Sequence, residues 1–456
     1  MTVEILQNSG EEAAPIHFVA KGALNEAGLE ARVLQWARAN DFSGEAGQFL
    51  LLPHTDGGVA GALYGTGGPD EINLSAGTLG KRLPEGLWRI DGDAPAAEQR
   101  LLGIMLGNYA FTRYGKKAGR SLRVVAPAGT NVERVRRIGS AVHLVRDLIN
   151  TPTNDMGPTA LEAATRELAS VHGASVTTIA GDDLLANGFP MIHAVGRAAS
   201  DAPRLIDMIW GEPEAPKVTL VGKGVCFDTG GLDIKPASGM LLMKKDMGGA
   251  ANVLGLASMI MAAGLKVRLR VLIPAVENAI AGNAFRPGDV LPSRKGISVE
   301  IGNTDAEGRL VLGDALALAD EEQPEILIDM ATLTGAARVA LGPELPPFFT
   351  NDEGFAGELS EAATVVEDPV WRLPLWKPYE ARLASKIADT NNVTSDGFAG
   401  SITAALFLQK FVEQSATWVH FDIFGWNPLE KPHCPVGGEA QAIRAIEHVL
   451  AKRFAG

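Results

Sequence analysis

The sequence predicts an α/β fold in which a small N-terminal α/β domain precedes a larger domain with a mostly parallel central sheet covered by helices. Three observations support this fold class. The chain has 456 residues, and a single hydrophobic core stops growing near ~250–300 residues, so two domains are expected. Strand-like and helix-like segments alternate in the middle of the chain. A long amphipathic segment separates this alternating part from a first part rich in glycine turns.

The first 130 residues combine short apolar runs with Gly-rich turns. Apolar runs occupy 48–53 and 122–127, and a Gly-rich turn occupies 64–70. This pattern is typical of short strands and helices joined by tight turns. We therefore interpret residues 1–130 as a small α/β domain.

A connecting helix is predicted from 131 to 150. Apolar side chains recur there with a helical period, and Thr151 and Pro152 end the pattern. The predicted division of the chain is therefore an N-terminal domain at 1–130, a linker helix at 131–150 and a large domain at 151–456. The recurring apolar residues are Val135, Ile138, Val142, Val145, Leu148 and Ile149.

The large domain is expected to contain a parallel sheet. Apolar, strand-like segments occupy 218–222, 266–274 and 326–332, and a helix-like segment occupies 249–264. Near-continuous apolar strands that alternate with helices are typical of a parallel sheet buried on both faces. Ligands of such sheets bind at the carboxyl ends of the strands.

Composition and charge narrow the class of function. Hydrophobic residues make up 46% of the chain and charged residues 21%, within the range of packed globular proteins. The formal charge of -13 disfavours nucleic-acid partners, because phosphate backbones would be repelled. The basic run at 134–137 is better explained as the solvated face of a helix.

Nothing in the sequence indicates a targeting or membrane segment. The first residues lack a basic stretch followed by an apolar run, which a signal peptide requires. No run approaches the ~18 uninterrupted apolar residues of a membrane helix. Cys226 and Cys434 are far apart and provide no disulfide framework. We expect a cytoplasmic protein with no membrane partner.

Ionisable residues are concentrated among glycines in the segment 221–251. It holds Lys223, Asp228, Lys235 and Asp246 together with seven glycines, which allow backbone to approach a ligand closely. The glycine spacing fits neither the P-loop nor G-x-G-x-x-G, so nucleotide binding is disfavoured. This segment is a candidate binding site.

A second acidic segment follows at 303–316. Asp305, Glu307 and Arg309 alternate with small residues and would project to one side if the backbone were extended. Any one aspartate alone is better explained as a surface charge in a turn. Three aspartates and a glutamate together repel each other, and a divalent metal is the usual resolution. Carboxylates with few histidines suit Zn, Mn, Mg or Co.

These motifs carry a resemblance to a known family. The strings VGKGVCFDTGGLDIKPASGM, MKKDMGGAANV and NTDAEGRLVLGDAL resemble the signature of the leucyl aminopeptidase family, whose members form hexamers with a di-metal site. The likeness covers 150–430. It implies a metal-dependent metallo-exopeptidase that hydrolyses the N-terminal residue from peptides with a free N-terminus. It further implies that the large domain is catalytic and that the cytoplasmic enzyme is a homohexamer.

The resemblance implies five metal ligands for two divalent ions per subunit, Mn or Zn. Lys223 and Asp246 would hold the more weakly bound ion, and Asp228 and Glu307 would bridge the two ions. Asp305 would bind the second ion. Because a lysine binds metal only as the neutral amine, the pKa of Lys223 is expected to be strongly lowered.

The same resemblance implies the catalytic residues. Two ions can hold a bridging water, lower its pKa and polarise the scissile carbonyl. Lys235 matches the family lysine that stabilises the developing oxyanion. Arg309 matches the arginine that holds a bicarbonate ion, which takes the role of general base.

Substrate-side positions follow from the resemblance as well. Many family members read HLDIAG where this chain reads HFDIFG at 420–425. The bulky ring of Phe424 is expected to shrink the pocket and to favour small N-terminal residues. His420 is interpreted as a core residue with its hydrogen bonds satisfied. The substrate-side residues are Met243, Asn303, Thr332, Leu333, Gly335 and Phe424, and the backbone of Leu333 would help to hold bicarbonate.

Two alternative functions remain open from the residues alone. The same fold could serve a non-catalytic scaffold or a DNA-binding regulator, since fold does not determine function. The number of expected buried charges favours the enzyme, because charges without chemistry are costly to bury. A different di-metal hydrolase, such as an amidase, would differ in not requiring a free substrate amine.

Overall fold

A computed structural model describes residues 3–91, 96–115 and 119–455 of the chain. The chain forms two compact units, the first being Met1–His143 with Asn427–Val436 and the second Leu144–Trp426 with Gly437–Gly456. The first unit thus includes a short segment that follows most of the second unit in sequence. The linear division predicted at 130 and 150 stays a prediction about folding domains.

A six-stranded sheet organises the first unit. Its order is β1-β6-β5-β2-β4-β3, and neighbouring strands are parallel except for the pair at the β3 edge. Helix α4 occupies the segment predicted as a connecting helix. The elements are β1 (Val3–Leu6), β2 (Ala14–Ala20), α1 (Ala31–Ala39), β3 (Phe49–Pro53), β4 (Val59–Gly67), α2 (Gly77–Arg82), β5 (Gly86–Asp91), α3 (Ala97–Gly107), β6 (Leu122–Val125) and α4 (Val132–Asn150), with 3-10 turns at Leu24–Glu26 and Asn73–Ala76.

The second unit contains the end of α4 from Leu144 and all remaining elements except Asn427 of β19. They are α5 (Pro158–His172), β7 (Ser175–Ala180), α6 (Asp183–Ala186), α7 (Pro190–Gly196), β8 (Arg204–Trp210), β9 (Lys217–Gly222), β10 (Gly224–Asp228), α8 (Ala237–Met240), α9 (Gly248–Ala263), β11 (Arg268–Asn278), β12 (Val290–Pro292), β13 (Ser298–Glu300), α10 (Gly308–Glu321), β14 (Ile326–Ala331), α11 (Gly335–Leu341), β15 (Pro347–Thr350), α12 (Glu353–Val365), β16 (Trp371–Arg372), β17 (Thr390–Asn391), α13 (Gly400–Gln409), β18 (Thr417–Asp422), β19 (Trp426–Asn427), β20 (Gly437–Gly438) and α14 (Ile443–Phe454), with 3-10 turns at Met243–Met247 and Lys377–Leu383.

A nine-stranded, mostly parallel sheet forms the centre of the second unit. Its order is β16-β15-β18-β14-β9-β11-β8-β7, and β10 pairs with β11. The central strands β18, β14, β9, β11 and β10 run parallel, whereas β15, β8 and β7 join antiparallel toward the edges. Every residue of β14 is buried, which explains why all of its residues except Asp329 are apolar. The predicted fold class is confirmed.

Two sets of helices cover the central strands. Helix α9 packs on β9, β11 and β14 and contacts α5 and α14, while α10 packs on the same three strands and contacts α7 and α13. Within the described ranges, one helical stretch, Met243–Ala263, is long and apolar enough to cross a membrane. Its most apolar window is 83% buried inside the protein, as expected of a core helix.

The parallel strands end at one edge of the sheet. Strands β9, β10, β14 and β18 all terminate there, because each runs parallel to its neighbour. The residues that follow them, including those after Gly222 and Ala331, are therefore brought together across long sequence separations. This is the edge where ligands of parallel sheets bind.

Helix α10 begins at this edge and is anchored at its far end by Asp320. The buried carboxylate accepts hydrogen bonds from the backbone N–H groups of Glu413, Gln414 and Ser415 at 2.7–3.0 Å, and from the Ser415 hydroxyl at 2.7 Å. The loop after α13 is thereby tied to the helix that starts at the candidate site.

We predict that Asp320→Asn destabilises the protein by about 2 kcal/mol or more, because the amide group would face backbone donors and leave one unpaired. The matched control is Glu321→Gln, whose exposed pair with Arg294 is worth less than about 1 kcal/mol. Thermal unfolding of both variants measures the difference. Equal melting temperatures would show that Asp320 does not anchor the helix.

Candidate metal centre

Lys223 follows β9 directly and enters the sheet edge. Its backbone N–H donates to Met330 O at 3.0 Å, and the residue is 3% exposed. The side chain crosses the start of α10, where a Cβ on Gly308 would lie 2.5 Å from the Lys223 Cε atom. Glycine at 308 is therefore required for this path.

The Lys223 ammonium is surrounded by carboxylates. Its Nζ lies 2.7 Å from Asp246 Oδ2 and 3.0 Å from Glu307 Oε1, and it donates to Thr332 O at 3.1 Å. The Thr332 hydroxyl donates to Asp246 Oδ1 at 2.8 Å, which orients that carboxylate. All four side chains are buried.

Asp228 ends β10 and faces the second lysine of the site. Its Oδ1 accepts hydrogen bonds from Gly230 N–H and Asn278 Nδ2, both at 2.9 Å. Its Oδ2 lies 2.8 Å from Lys235 Nζ, and the same ammonium also pairs with Asp305. Lys235 thus links two of the carboxylates.

The backbone at 303–307 is a turn and is not extended, so the condition under which alternating side chains would share one side is not met there. Glu307 is the N-cap of α10 with helical dihedral angles, and Asp305 lies in the preceding turn. Asn392 holds the loop, because its Nδ2 donates to Asn303 O at 2.7 Å and its Oδ1 accepts from Gly302 N–H at 2.8 Å. The turn brings Asp305 and Glu307 together.

Three carboxylates form a cluster suited to a metal. One oxygen from each of Asp228, Asp305 and Glu307 lies within 4.8 Å of the others, and Glu307 Oε2 is buried without a hydrogen-bond partner among the described residues. Burial and the charge of Asp228 raise the pKa of Glu307 to about 8 and that of Asp305 to about 6. An oxygen-rich, mutually repelling set of this kind fits divalent cations.

The lysines respond to the same charges. Burial alone would lower the pKa of Lys223, but the charges of Asp246, Glu307 and Asp228 outweigh burial and raise it. Against the protein groups alone Lys223 is therefore an ammonium, and the lowered pKa expected beside two bound cations stays a prediction. Burial would raise the pKa of Asp228, but the charges of Lys235 and Lys223 outweigh burial and lower it.

Arg309 lies in the first turn of α10, behind the cluster. It is 7% exposed, its Nη1 donates to Asn392 O at 2.6 Å, and its Nε has no hydrogen-bond partner among the described residues. Burial lowers its pKa to about 10, and Asp422 and Glu307 oppose the shift. A buried guanidinium with an unused donor is suited to a small anion.

Two cavities meet at the cluster. The first, of about 510 Å³, contains Lys223, Asp228, Lys235, Asp246 and Asp305 in its wall. The second, of about 670 Å³, shares Asp305, Leu333, Thr334 and Gly335 with the first. Of the remaining residues predicted to face substrate or bicarbonate, Met243, Thr332 and Phe424 line only the first cavity, and Asn303 and Arg309 line only the second.

Comparison with known protein families agrees with this geometry. Residues 143–446 match the catalytic domain of the cytosol aminopeptidase family, and residues 14–127 match the N-terminal domain of M17 aminopeptidases. The chain belongs to the cytosol aminopeptidase (M17) family. The resemblance to leucyl aminopeptidases is thus confirmed, and the protein is a leucyl aminopeptidase-like peptidase.

Individual relatives of this M17 aminopeptidase cover nearly the whole chain. The crystal structure of the cytosol aminopeptidase from Coxiella burnetii is 47% identical, covers 99% of both chains and has a TM-score of 0.94. A probable cytosol aminopeptidase from Chlorobium luteolum is 36% identical and covers 99% of both sequences. The bottromycin maturation enzyme BotP, solved in complex with Mn, is 32% identical, covers 97% of this chain and 99% of its own, and has a TM-score of 0.88.

The structure of this M17 aminopeptidase adds residues that the sequence analysis did not assign. Lys245 and Arg338 line the first cavity, and both lie over the ring of Phe424. Burial lowers the pKa of Lys245 to about 8, against the opposing charge of Asp246. A usable signal was present, since Lys245 falls within the motif MKKDMGG.

A third unassigned residue, Asp422, shapes the wall between the cavities. At the end of β18 it accepts hydrogen bonds from the N–H groups of Leu333 and Thr334, at 3.2 and 3.0 Å, and from the Ser401 hydroxyl at 2.8 Å. It thereby holds the 333–335 segment that both cavities share. No motif around Asp422 indicated this role.

His420 is a buried core residue, as expected, but its hydrogen bonds are not all satisfied, because its Nε2 has no partner among the described residues. Its Nδ1 lies 2.5 Å from Asp329 Oδ1, and its ring stacks with those of Phe349 and Trp418. The Trp418 Nε1–H donates to Asp329 Oδ2 at 2.8 Å. Burial would lower the pKa of His420, but Asp329 outweighs burial and raises it. This pair belongs to the sheet interior.

We predict that Glu307→Gln or Asp305→Asn removes at least one bound metal ion per subunit while the fold survives, because each change deletes an anionic ligand from a self-repelling cluster. Metal content after dialysis and far-UV circular dichroism measure the two effects. The control is Asp289→Asn, a carboxylate that pairs with Arg286 outside the cluster. Unchanged metal content in both cluster variants would show that they are not ligands.

Proposed function

We propose that this aminopeptidase is a two-metal enzyme that removes the N-terminal residue from peptides with a free N-terminus. The observation that carries the proposal is the cluster of Asp228, Asp305 and Glu307, whose oxygens lie within 4.8 Å of each other and of which Asp228 and Asp305 line a cavity of about 510 Å³. When bound, two divalent ions would supply an activated water, polarise the scissile carbonyl and hold the substrate's free amine.

Five residues would hold the ions. Lys223 and Asp246 would bind one ion, Asp305 the other, and Asp228 and Glu307 both. Support comes from burial, because a carboxylate set this enclosed is stable only when cations compensate it. In the structure Lys223 and Lys235 supply that compensation.

Lys223 would act as a ligand in its neutral form. The carboxylates that raise its pKa are the groups that would bind the ions, so their charge would be neutralised on metal binding. Burial, the largest single influence on this amine, would then favour the neutral form. Metal binding would therefore release the proton of Lys223.

Lys235 would stabilise the negative charge that develops on the scissile carbonyl oxygen. It lines the first cavity beside Asp228 and Asp305, and its side chain is 15% exposed. Those carboxylates would be held as ligands, which leaves the ammonium able to donate to substrate. A fixed donor at the oxyanion is a major source of rate enhancement.

Arg309 would hold a bicarbonate ion, and that ion would act as the general base. The unused Nε of this buried arginine and its place in the wall of the second cavity support the assignment. Leu333 lines the same cavity, but its N–H already donates to Asp422 at 3.2 Å. The arginine is therefore the principal holder of the anion.

The wider setting is proposed by similarity. Manganese or zinc would be the metal, and the relative BotP was solved with Mn. A cytoplasmic location accords with relatives named cytosol aminopeptidase, and a homohexamer accords with the leucyl aminopeptidase resemblance. The acidic net charge of -13 disfavours the alternative of a DNA-binding regulator or scaffold.

We predict that hydrolysis of aminoacyl anilides requires added metal and a free amine, because the proposed ions anchor that amine. Metal-stripped enzyme should be inactive and should recover with Mn or Zn. N-acetylated substrates should be inert under the same conditions. Comparable turnover of free and acetylated substrates would identify an amidase instead.

We predict that Lys235→Ala lowers kcat by about 10²–10³ without loss of metal, because it removes a donor to the oxyanion.

We predict that Arg309→Ala abolishes stimulation by bicarbonate, because it removes the group that would hold this ion. Steady-state kinetics with and without bicarbonate, together with metal analysis, test both variants. The control for Arg309 is Arg382→Ala. Arg382 also lines the second cavity but pairs with Asp396, so this variant should retain the stimulation. Equal stimulation of wild type and the Arg309 variant would refute its role.

A further inference from the structure

The first cavity contains a lysine that forms no ion pair with a carboxylate among the residues that the structure describes. Lys245 lies in the 3-10 turn Met243–Met247 and is 5% exposed. Its Nζ lies 4.5 Å from the centroid of the Phe424 ring. Among residues of the described ranges it forms neither a hydrogen bond nor an ion pair through this ammonium.

The preceding lysine is placed differently. Lys244 Nζ donates to Asn150 O at 2.7 Å and lies 5.5 Å from the ring of Trp426. Lys244 does not line the first cavity, whereas Lys245 does. The two adjacent lysines therefore differ both in hydrogen bonding and in access to the cavity.

A second cation lies over the same aromatic ring. The Arg338 guanidinium carbon of α11 is 5.1 Å from the Phe424 centroid, and the residue lines the same cavity. Its side chain forms no hydrogen bond or ion pair with residues that the structure describes. Phe424 is thus a platform for two cations.

The free-energy cost of burying the unpaired Lys245 ammonium indicates an anionic ligand. An aromatic face stabilises a cation by about 0.5–2 kcal/mol, which is less than the several kcal/mol that removing an unpaired ammonium from water costs. The nearby carboxylates are already paired with Lys223 and Lys235; they are Asp228, Asp246, Asp305 and Glu307. A carboxylate brought by the substrate would supply the missing partner.

The rest of the cavity accommodates the stem of such a side chain. Leu242, Met243 and Ile423 line it together with Gly239 and Gly335, so methylene groups would contact apolar or small residues. We propose that the cavity binds an acidic N-terminal residue, glutamate or aspartate, with Lys245 and Arg338 as the specificity-determining cations. This inference rests on the two-metal aminopeptidase proposed above.

Two expected results distinguish a preference for acidic N-terminal residues from a preference set by the size of the pocket alone. A basic N-terminal residue would place like charges together and should be a poor substrate. A small residue such as alanine, which the bulk of Phe424 alone would favour, would leave both cations unpaired. The acidic preference therefore predicts glutamyl above glutaminyl, although the two side chains have the same shape.

The test measures kcat/KM of the Mn-loaded enzyme for glutamyl, glutaminyl, leucyl, alanyl and lysyl p-nitroanilides. We expect glutamyl to exceed glutaminyl by about 10- to 100-fold, the range of a charge-assisted hydrogen bond. Lys245→Met and Arg338→Met should each reduce this ratio, and Lys245→Arg should largely keep it. Lys244→Met is the matched control and should leave the ratio at the wild-type value.

The outcomes distinguish the two proposals. If leucyl or alanyl substrate is cleaved with added metal but glutamyl does not exceed glutaminyl, the acidic preference is wrong and the two-metal function stands. A ratio that survives both methionine variants would also overturn the roles of Lys245 and Arg338. If no aminoacyl substrate is cleaved with any metal, the proposed function itself fails. Because Arg338 is exposed, its variant tests the inference even if Lys245→Met does not fold.

Discussion

The repulsion among Asp228, Asp246, Asp305 and Glu307 is the constraint on which the rest of the site depends. Asp228, Asp246 and Glu307 are buried and Asp305 is partly buried, so water screens their charges only weakly. The compensating groups are therefore also buried or half-buried, and each has a defined path to the cluster. Lys223 is the clearest case, because its path requires a glycine at 308.

The parallel sheet is the structural reason that these charged residues lie close together. Strands β9, β10, β14 and β18 deliver their following residues to one edge. The backbone carbonyls and N–H groups there, such as Met330 O and the Thr332 carbonyl, bind the lysine directly. Helix α10 starts at the same edge and adds Glu307 and Arg309 from its first turn.

Charge is distributed unevenly between the two cavities that meet at the cluster. The first carries the carboxylates and, beyond them, Lys245 and Arg338 over Phe424. The second shares Asp305 with the first and carries Arg309 together with the pair Arg382 and Asp396. The wall between them is held by Asp422 through the N–H groups of Leu333 and Thr334. A single buried carboxylate thus positions the boundary between two chemically different spaces.

The sequence by itself determined the fold class, the segments that carry the chemistry and the family, because apolar strand runs and the Asp-rich motifs are local features. The structure alone decided which residues share a space. Lys245, Arg338 and Phe424 are separated by tens of residues and meet only because β14, β18 and the 3-10 turn before α9 end at one edge. Likewise, the sequence left the backbone conformation at 303–307 open, whereas Asn392, nearly 90 residues away, holds that loop as a turn. Contacts of this kind depend on strand order and register, which local sequence patterns do not encode.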